Sequence, residues 1–333
     1  MSNTSTNSLC SPADIFALRD HVQMPIFGLG TWQSTGDELK AAVKRAVVLG
    51  YRLIDTASVY GNEEAIGEAI QELLAEDAVT SRKELFITTK AWTNEIAPEN
   101  LEGALRESLR KLKLDYVDLY LAHMPTVIDA DNKHVDTPIE EIWRAFDAVH
   151  KKGLARAIGV SNWSIDQIRK AVAMSPAAVQ PQVSQVEVHL YFPQKEYVRA
   201  CKNMNIAVTS YASLGSPGRS KFTLPNGQRL EWPDAPSELQ DPNVLEIAAK
   251  YKKTAAQVLL RYLMDRHIAI IPKSTNAERL AENIKIFDFA LTEKDIAMLE
   301  SMNVSRRLFL QDFMIGHPQD PFGDERQPVV ADQ

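Results

Sequence analysis

Cysteine is scarce in this 333-residue chain: there are two, Cys10 and Cys201, and no C-x-x-C pair. That excludes a disulfide framework and a thiolate metal or redox centre, and leads us to expect a reducing, cytoplasmic setting. Positive charge is not in excess either. The 37 Lys and Arg against 44 Asp and Glu leave a formal charge of −7, so no global basic field exists to hold nucleic acid or an anionic membrane. Long apolar runs are missing. The run 268–271 stops at Pro272, far short of the roughly 20 residues that cross a bilayer. The seven histidines include no H-x-H or H-E-x-x-H pair, which removes the ligands of a zinc hydrolase; no metal is expected. Gly28-Leu29-Gly30 is only the first half of a G-x-G-x-x-G, so a Rossmann loop is unsupported.

With 45% hydrophobic and 24% charged residues, 14 Gly and 17 Pro, the composition is that of an ordinary globular protein with a sizeable core. Residues 1–12 are rich in Ser, Asn and Thr and lack the basic and apolar parts of a secretory signal; we expect a disordered tail there. From 13 to about 310, short β-branched runs alternate with longer segments of helical period. The pattern predicts eight strands, at 26–31, 53–56, 85–90, 117–123, 157–162, 182–187, 207–211 and 269–273. Helix signals separate them. Thr137-Pro138-Ile139-Glu140 and Ser164-Ile165-Asp166-Gln167 both read as capping boxes, Gly50 and Gly153 as helix stops, and Leu101, Leu105, Leu109 and Leu112 as one packed face. Eight βα units in an unbroken run predict an α/β chain closed into a (β/α)8 barrel, with an open doubly wound sheet as the alternative. Val22–Pro25 suggests a short N-terminal hairpin under the barrel. Insertions at 124–136 and 214–241 follow strand C-termini, the face where barrels carry function. The Pro-rich end, 311–333, reads as irregular chain laid over that face.

Polar residues gather at the strand ends: Asp55, Lys90, His123, Asn162, Gln185, Glu187, Tyr211 and Lys273. Any one of them fits a buried salt-bridge network as well as it fits catalysis. Their convergence on one mouth favours a site. A glycosidase needs two facing carboxylates, whereas the fourth and seventh strands end in His123 and Tyr211. Proton donation to a carbonyl oxygen fits better. Tyr60, five residues after Asp55, sits in a turn that would aim a phenol beside Lys90; an ammonium there would lower the phenol's pKa, Asp55 would keep the ammonium charged, and neutral His123 would orient the substrate oxygen. Lys90 as a Schiff-base nucleophile remains a rival.

At these residues the chain resembles the aldo-keto reductases. The motifs are Gly-Leu-Gly-Thr-Trp (28–32), Asp-Thr-Ala-Ser-Val-Tyr-Gly-Asn-Glu (55–63), Lys90, Leu-Tyr-Leu-Ala-His-Met-Pro (119–125), Ile-Gly-Val-Ser-Asn (158–162) and Ile-Pro-Lys-Ser-Thr-Asn-Ala-Glu-Arg-Leu-Ala-Glu-Asn (271–283). The resemblance implies a monomeric barrel that reduces aldehydes and ketones with NADPH, an aldehyde reductase or alcohol dehydrogenase (NADP+) in type. It makes Asp55, Tyr60, Lys90 and His123 the catalytic tetrad. Ser161, Asn162 and Gln185 would bind the carboxamide and Tyr211 would stack on the nicotinamide. Gly30, Thr31, Trp32, Asp55, Ser213, Leu214 and Ser216 would add further cofactor contacts, and Trp32, Val59, Trp92, His123 and Met124 would wall the substrate pocket.

The adenosine end can also be read from the residues themselves. Asn276 can cap a helix over 277–285, and Lys273 with Arg279 at its start suits the ribose 2′-phosphate; the resemblance adds Ser274, Glu282 and Asn283. Three departures stand out. Gly218 and Gln33 replace the charged pair of the family's pyrophosphate strap, Ala212 and Ser213 replace Ser-Pro, and Met124 replaces the Trp usual in aldose-reductase-like members. An auxiliary nucleotide-binding or structural protein with little turnover is the non-enzymatic alternative. The Asn162-Trp163-Ser164 sequon falls inside the expected cofactor site, and we read it as a chance match.

Overall fold

A computed structural model of the chain describes residues 15–222, 235–301 and 305–326. The expected tail at 1–12, Cys10, residues 223–234 of the expected insertion 214–241, residues 302–304 and the last seven residues lie outside them. In chain order the strands are β1 Ile15–Ala17, β2 Gln23–Pro25, β3 Gly28–Gly30, β4 Leu53–Asp55, β5 Phe86–Ala91, β6 Val117–Ala122, β7 Val127–Ile128, β8 His134–Val135, β9 Ala155–Ser161, β10 Val183–Glu187, β11 Ala207–Tyr211 and β12 Ala269–Ile270. Eight of them form one parallel sheet in the order β3-β4-β5-β6-β9-β10-β11-β12. The two ends of the sheet meet. Ile270 N donates to Ile26 O at 2.9 Å, and bridges join Phe27 to Ile270 and Gly30 to Lys273. The closed barrel, rather than the open sheet, is therefore the fold.

Close packing at this seam explains Gly-Leu-Gly. A Cβ on Gly28 would stand 2.3 Å from Leu53 Cδ2, and one on Gly30 would stand 2.5 Å from Ile271 O. β12 is shorter than its sequence run because Pro272 has no N–H to continue the ladder. The strands are buried on both faces, as parallel strands under helices must be. The N-terminal hairpin is present, β1 pairing with β2 in antiparallel fashion.

Ten α-helices are found among the described residues: α1 Gly36–Val48, α2 Glu63–Ala75, α3 Leu101–Leu112, α4 Ile139–Lys151, α5 Ile165–Ala173, α6 Lys195–Asn203, α7 Pro242–Tyr251, α8 Ala255–Asp265, α9 Ala277–Asn283 and α10 Glu293–Glu300. The expected Ser164 capping box forms, with both reciprocal bonds to Gln167. The Thr137 box does not. Pro138 occupies the cap position of α4 in an extended conformation and no side chain caps it, because Thr137 lies one residue too early to reach the third helical N–H. Two boxes escaped the sequence reading, Thr254 with Gln257 and Thr292 with Asp295. The insertion 124–136 contains the small antiparallel pair β7–β8, which was not anticipated. No helix among the described residues is long and apolar enough to cross a membrane.

Candidate active site

The segment Asp55–Glu63 builds the centre of the site, and each polar residue in it is tied to a different neighbour. Asp55 ends β4, and its Oδ1 accepts from Lys90 Nζ at 2.5 Å while its Oδ2 accepts from Gln185 Nε2 at 2.7 Å. Lys90 is fully buried on β5 and gives a second bond to Thr56 O at 2.8 Å. The chain then makes a 3-10 turn, Ser58–Tyr60, closed by Gly61 in the left-handed region at φ 63°; glycine takes that conformation without steric cost. Ser58 Oγ donates to Lys90 O at 3.0 Å, which pins the turn to β5. Asn62, 2% exposed, donates to Thr31 O and Ser34 O and accepts from Thr56 Oγ1 at 2.6 Å. The turn is thereby fixed from three sides.

It delivers Tyr60 to the mouth. Lys90 Nζ stands 5.1 Å from the centroid of the Tyr60 ring, and the His123 ring stands 5.7 Å away in an edge-on arrangement. Trp92 meets the other side of His123 at 4.9 Å. Asp55, Tyr60, Lys90 and His123 are thus brought together as expected. Burial, with a smaller contribution from the Lys90 charge, holds the His123 imidazole well below its ordinary value, so the ring is neutral at neutral pH. Its Nδ1 is buried without a partner.

For Tyr60 the electrostatic expectation is reversed. Burial pushes the phenol well above its ordinary value, and Asp55 and Tyr211 push it further. The Lys90 ammonium does not pull it down, because burial also lowers the Lys90 pKa and Asp55 is paired directly with its charge. Tyr60 therefore holds its proton across the neutral range.

Beside the tetrad, Asn162 takes a left-handed conformation at φ 60°. Its Nδ2 donates to His123 O at 3.1 Å and to Ser161 Oγ at 3.2 Å, and its Oδ1 accepts from Tyr211 O–H at 2.7 Å. Ser161, Asn162, Gln185 and Tyr211 thus form one polar wall. Thr31 donates to Asp55 O, and Ser213 is bonded to Ser210. Leu214 and Ser216 follow on the same half-buried loop, Ser216 with φ 44°.

The strap positions do approach each other, since a Cβ on Gly218 would lie 3.8 Å from Gln33 Oε1. In place of a charged pair, the loop meets the end of β3 through rings: Phe222 lies 5.2 Å from Trp32. At the far end, Lys273 and Arg279 are both exposed at the start of α9, which ends at Asn283, two residues earlier than expected. Asn276 caps that helix, accepting from Arg279 N at 2.9 Å, and Ser274 Oγ accepts from Asn276 N at 3.2 Å. Glu282 accepts from Thr254 Oγ1 at 2.8 Å, and Asn283 is buried.

The C-terminal segment folds over the mouth and alters the reading of the pocket. Met124, expected on the substrate wall, is 1% exposed and lies under Met314 and Phe322, with Trp92 packed alongside. It anchors the segment instead of facing open space, because these apolar groups shield one another from water. Val59, by contrast, is 47% exposed at the rim. Two rings of this segment border the mouth; Phe313 belongs to the end, 311–333, expected to lie over that face, whereas Phe309 was not anticipated. Phe309 stands edge-on to both Trp32 and Tyr211 at 5.7 Å, and Phe313 lies 5.3 Å from Trp92. A Met124→Trp change is expected to overpack this buried cluster, at a cost of about 1–3 kcal/mol. It should loosen the segment over the mouth, which faster amide exchange across residues 305–326 would show.

Glu187, at the end of β10, fixes the same segment through backbone N–H groups. Its carboxylate accepts from Leu308 N at 2.6 Å and Phe309 N at 2.9 Å. It is bridged by His189, whose Nε2 lies 3.0 Å from Glu187 Oε1 and whose Nδ1 is bonded to Glu238. Burial disfavours the imidazolium, but the two carboxylates outweigh it, and the His189 pKa is pushed up to about 9. Since the folded value lies above the unfolded one of about 6.5, the cluster stabilises fully below pH 6.5, and that contribution is lost as pH rises through 9. Its size is on the order of 3 kcal/mol. Urea denaturation between pH 6 and 10 should show this loss in the wild type and not in His189→Gln.

A parallel eight-stranded barrel with Asp, Tyr, Lys and His enclosed at its C-terminal mouth defines the class of protein. The chain belongs to the Aldo/keto reductase family, whose sequence model matches residues 26–304. It is 39% identical to aldo-keto reductase family 1 member A1 of Gallus gallus over 331 residues, covering 93% of this chain and 98% of that protein. The human protein of the same name is also 39% identical, over 324 residues, 91% of this chain and 96% of that one. Among solved structures it is similar to an aldo-keto reductase of Bombyx mori in complex with NADP, with TM-score 0.83 and 39% identity, covering 94% of this chain and 100% of that one. The aldose reductase of Schistosoma japonicum is also similar, with TM-score 0.83 and 34% identity over 94% and 99% of the two chains.

Proposed function

We propose that the chain is an NADPH-dependent reductase of aldehydes and ketones, of the aldehyde reductase or alcohol dehydrogenase (NADP+) type, with Tyr60 as general acid. One observation carries this reading. The Tyr60 hydroxyl has no hydrogen-bond partner among the described residues and stands with the neutral, unpartnered His123 beside a buried Asp55–Lys90 pair. Two polar groups are left for one incoming oxygen. Bound NADPH would supply the hydride. Ser161, Asn162, Gln185 and Tyr211 would hold its nicotinamide end, Gly30, Thr31, Trp32, Ser213, Leu214 and Ser216 its middle, and Lys273, Ser274, Asn276, Arg279, Glu282 and Asn283 its adenosine 2′-phosphate end.

His123 would hydrogen-bond the substrate carbonyl oxygen and orient it. Tyr60 would pass its proton to that oxygen as negative charge develops there. Trp32, Val59, Trp92 and Phe309 would border the organic part of the substrate. Nothing favours the Schiff-base rival, because Lys90 Nζ is committed to Asp55 and Thr56 O. Oxidation of NADPH against a panel of aldehydes, ketones and sugars tests the reading. Aromatic and medium-chain aldehydes should exceed glucose in kcat/KM by well over tenfold, a gap that needs only about 1.4 kcal/mol. Absence of any NADPH oxidation, or a borohydride-trapped adduct on Lys90 without nicotinamide, would replace it.

A further inference from the structure

At the end of the barrel opposite the mouth, a cavity of about 330 Å³ opens between the N-terminal hairpin, the starts of β10 and β11, α6 and the turn before β12. This lies at the small end of the range for small-molecule pockets. Phe16, Leu18, Val198 and Ile206 give it apolar walls. Its charged lining is of one sign. Arg19, Lys202 and Arg266 border it beside the His267 ring, and no acidic side chain among the described residues does, in a chain whose formal charge is −7. Arg266 is held in place by Pro193 O at 2.6 Å and by stacking on Tyr262. The side chains of Arg19, Lys202 and His267 have no partner among the described residues.

The second observation is Gln182. It borders the cavity, is 2% exposed, and has neither its Nε2 nor its Oε1 hydrogen-bonded among the described residues, both atoms lying just beneath the cavity surface. Its backbone is already used by the sheet, Gln182 N donating to Ile158 O and Gln182 O accepting from Ala207 N. A buried amide with both ends unmet is rare in folded proteins and calls for a water or another group close by. Water could answer an amide, but it would not call for a one-sign basic rim.

We infer that this cavity binds a small organic carboxylate with an apolar body, at a site separate from the catalytic mouth. The carboxylate would pair with Lys202 and Arg19 and neutralise the rim, while the body would lie against Phe16, Val198 and Ile206. The apolar walls favour such a ligand over a bare inorganic anion.

Octanoate is a suitable probe, titrated calorimetrically into the full-length chain saturated with NADP+, with octylamine and inorganic phosphate as comparisons. The variants Lys202→Glu and Arg19→Glu lie far from the mouth and should leave octanoate-free reduction unchanged. Each should weaken one octanoate site by tenfold or more, as expected for loss of a hydrogen bond to a charged group. Octylamine and phosphate should not fill that site, and octanoate should slow amide exchange around residues 198–208. Wild-type octanoate affinity in Lys202→Glu would overturn the assignment, as would equal binding of octylamine or the absence of any site that either variant affects.

Discussion

Tyr60→Phe is expected to lower the rate of aldehyde reduction by about 10²–10⁴-fold, the usual contribution of a general acid. NADPH affinity should stay within a few-fold. The ring would remain between Lys90 and His123, whose contacts are with its face and edge. The lost hydroxyl has no hydrogen bond among the described residues, so its removal breaks no structural link. The effect should therefore fall on kcat and kcat/KM together, the signature of an interaction made only in the transition state. Steady-state kinetics with fluorescence titration of NADPH would measure both. Turnover within a few-fold of wild type would assign the proton to another donor, and His123 is the only other polar group of the tetrad not committed to a protein partner at the mouth.

The barrel was legible because its strands are short β-branched runs buried on both faces, with helices of clear period between them. The grouping of Asp55, Tyr60, Lys90 and His123 was legible because one nine-residue segment, 55–63, carries two of these residues, the turn between them and its anchors. What stayed hidden lies where no period exists. Phe309 and Phe222 reach the site from irregular chain, and only the fold shows that they meet Trp32. Glu187 was seen as a strand-end carboxylate, but Glu238, with which it shares His189, and its donor Leu308 are separated from it by 51 and 121 positions. Met124 was misplaced for a related reason: adjacency to His123 says nothing about what lies over it, and 22 described residues, 305–326, fold onto that side. The Tyr60 charge balance also depended on burial, which a motif does not display.

Cofactor choice gives the second large effect, and it rests on the two cations at the start of α9. Lys273 and Arg279 are exposed, yet they feel each other. Partial burial holds Lys273 below its ordinary value, Glu38 opposes that shift, and the Arg279 charge adds to it. Two cations set close together, with Glu38 opposing them, suit a dianion such as the ribose 2′-phosphate of NADPH. Each charge-assisted hydrogen bond lost should cost roughly 10–100-fold in affinity. Arg279→Ala is therefore expected to weaken NADPH by that factor and NADH by much less, and Lys273→Met with Arg279→Ala together by about 10²–10⁴-fold. Because both groups face solvent, salt should screen the contact, so that NADPH affinity falls more steeply than NADH affinity between low and high ionic strength. Binding titrations of both nucleotides over a salt series would decide the matter. Equal loss of NADPH and NADH in Arg279→Ala, with equal salt slopes, would mean that these cations steer the whole nucleotide without reading its 2′ position.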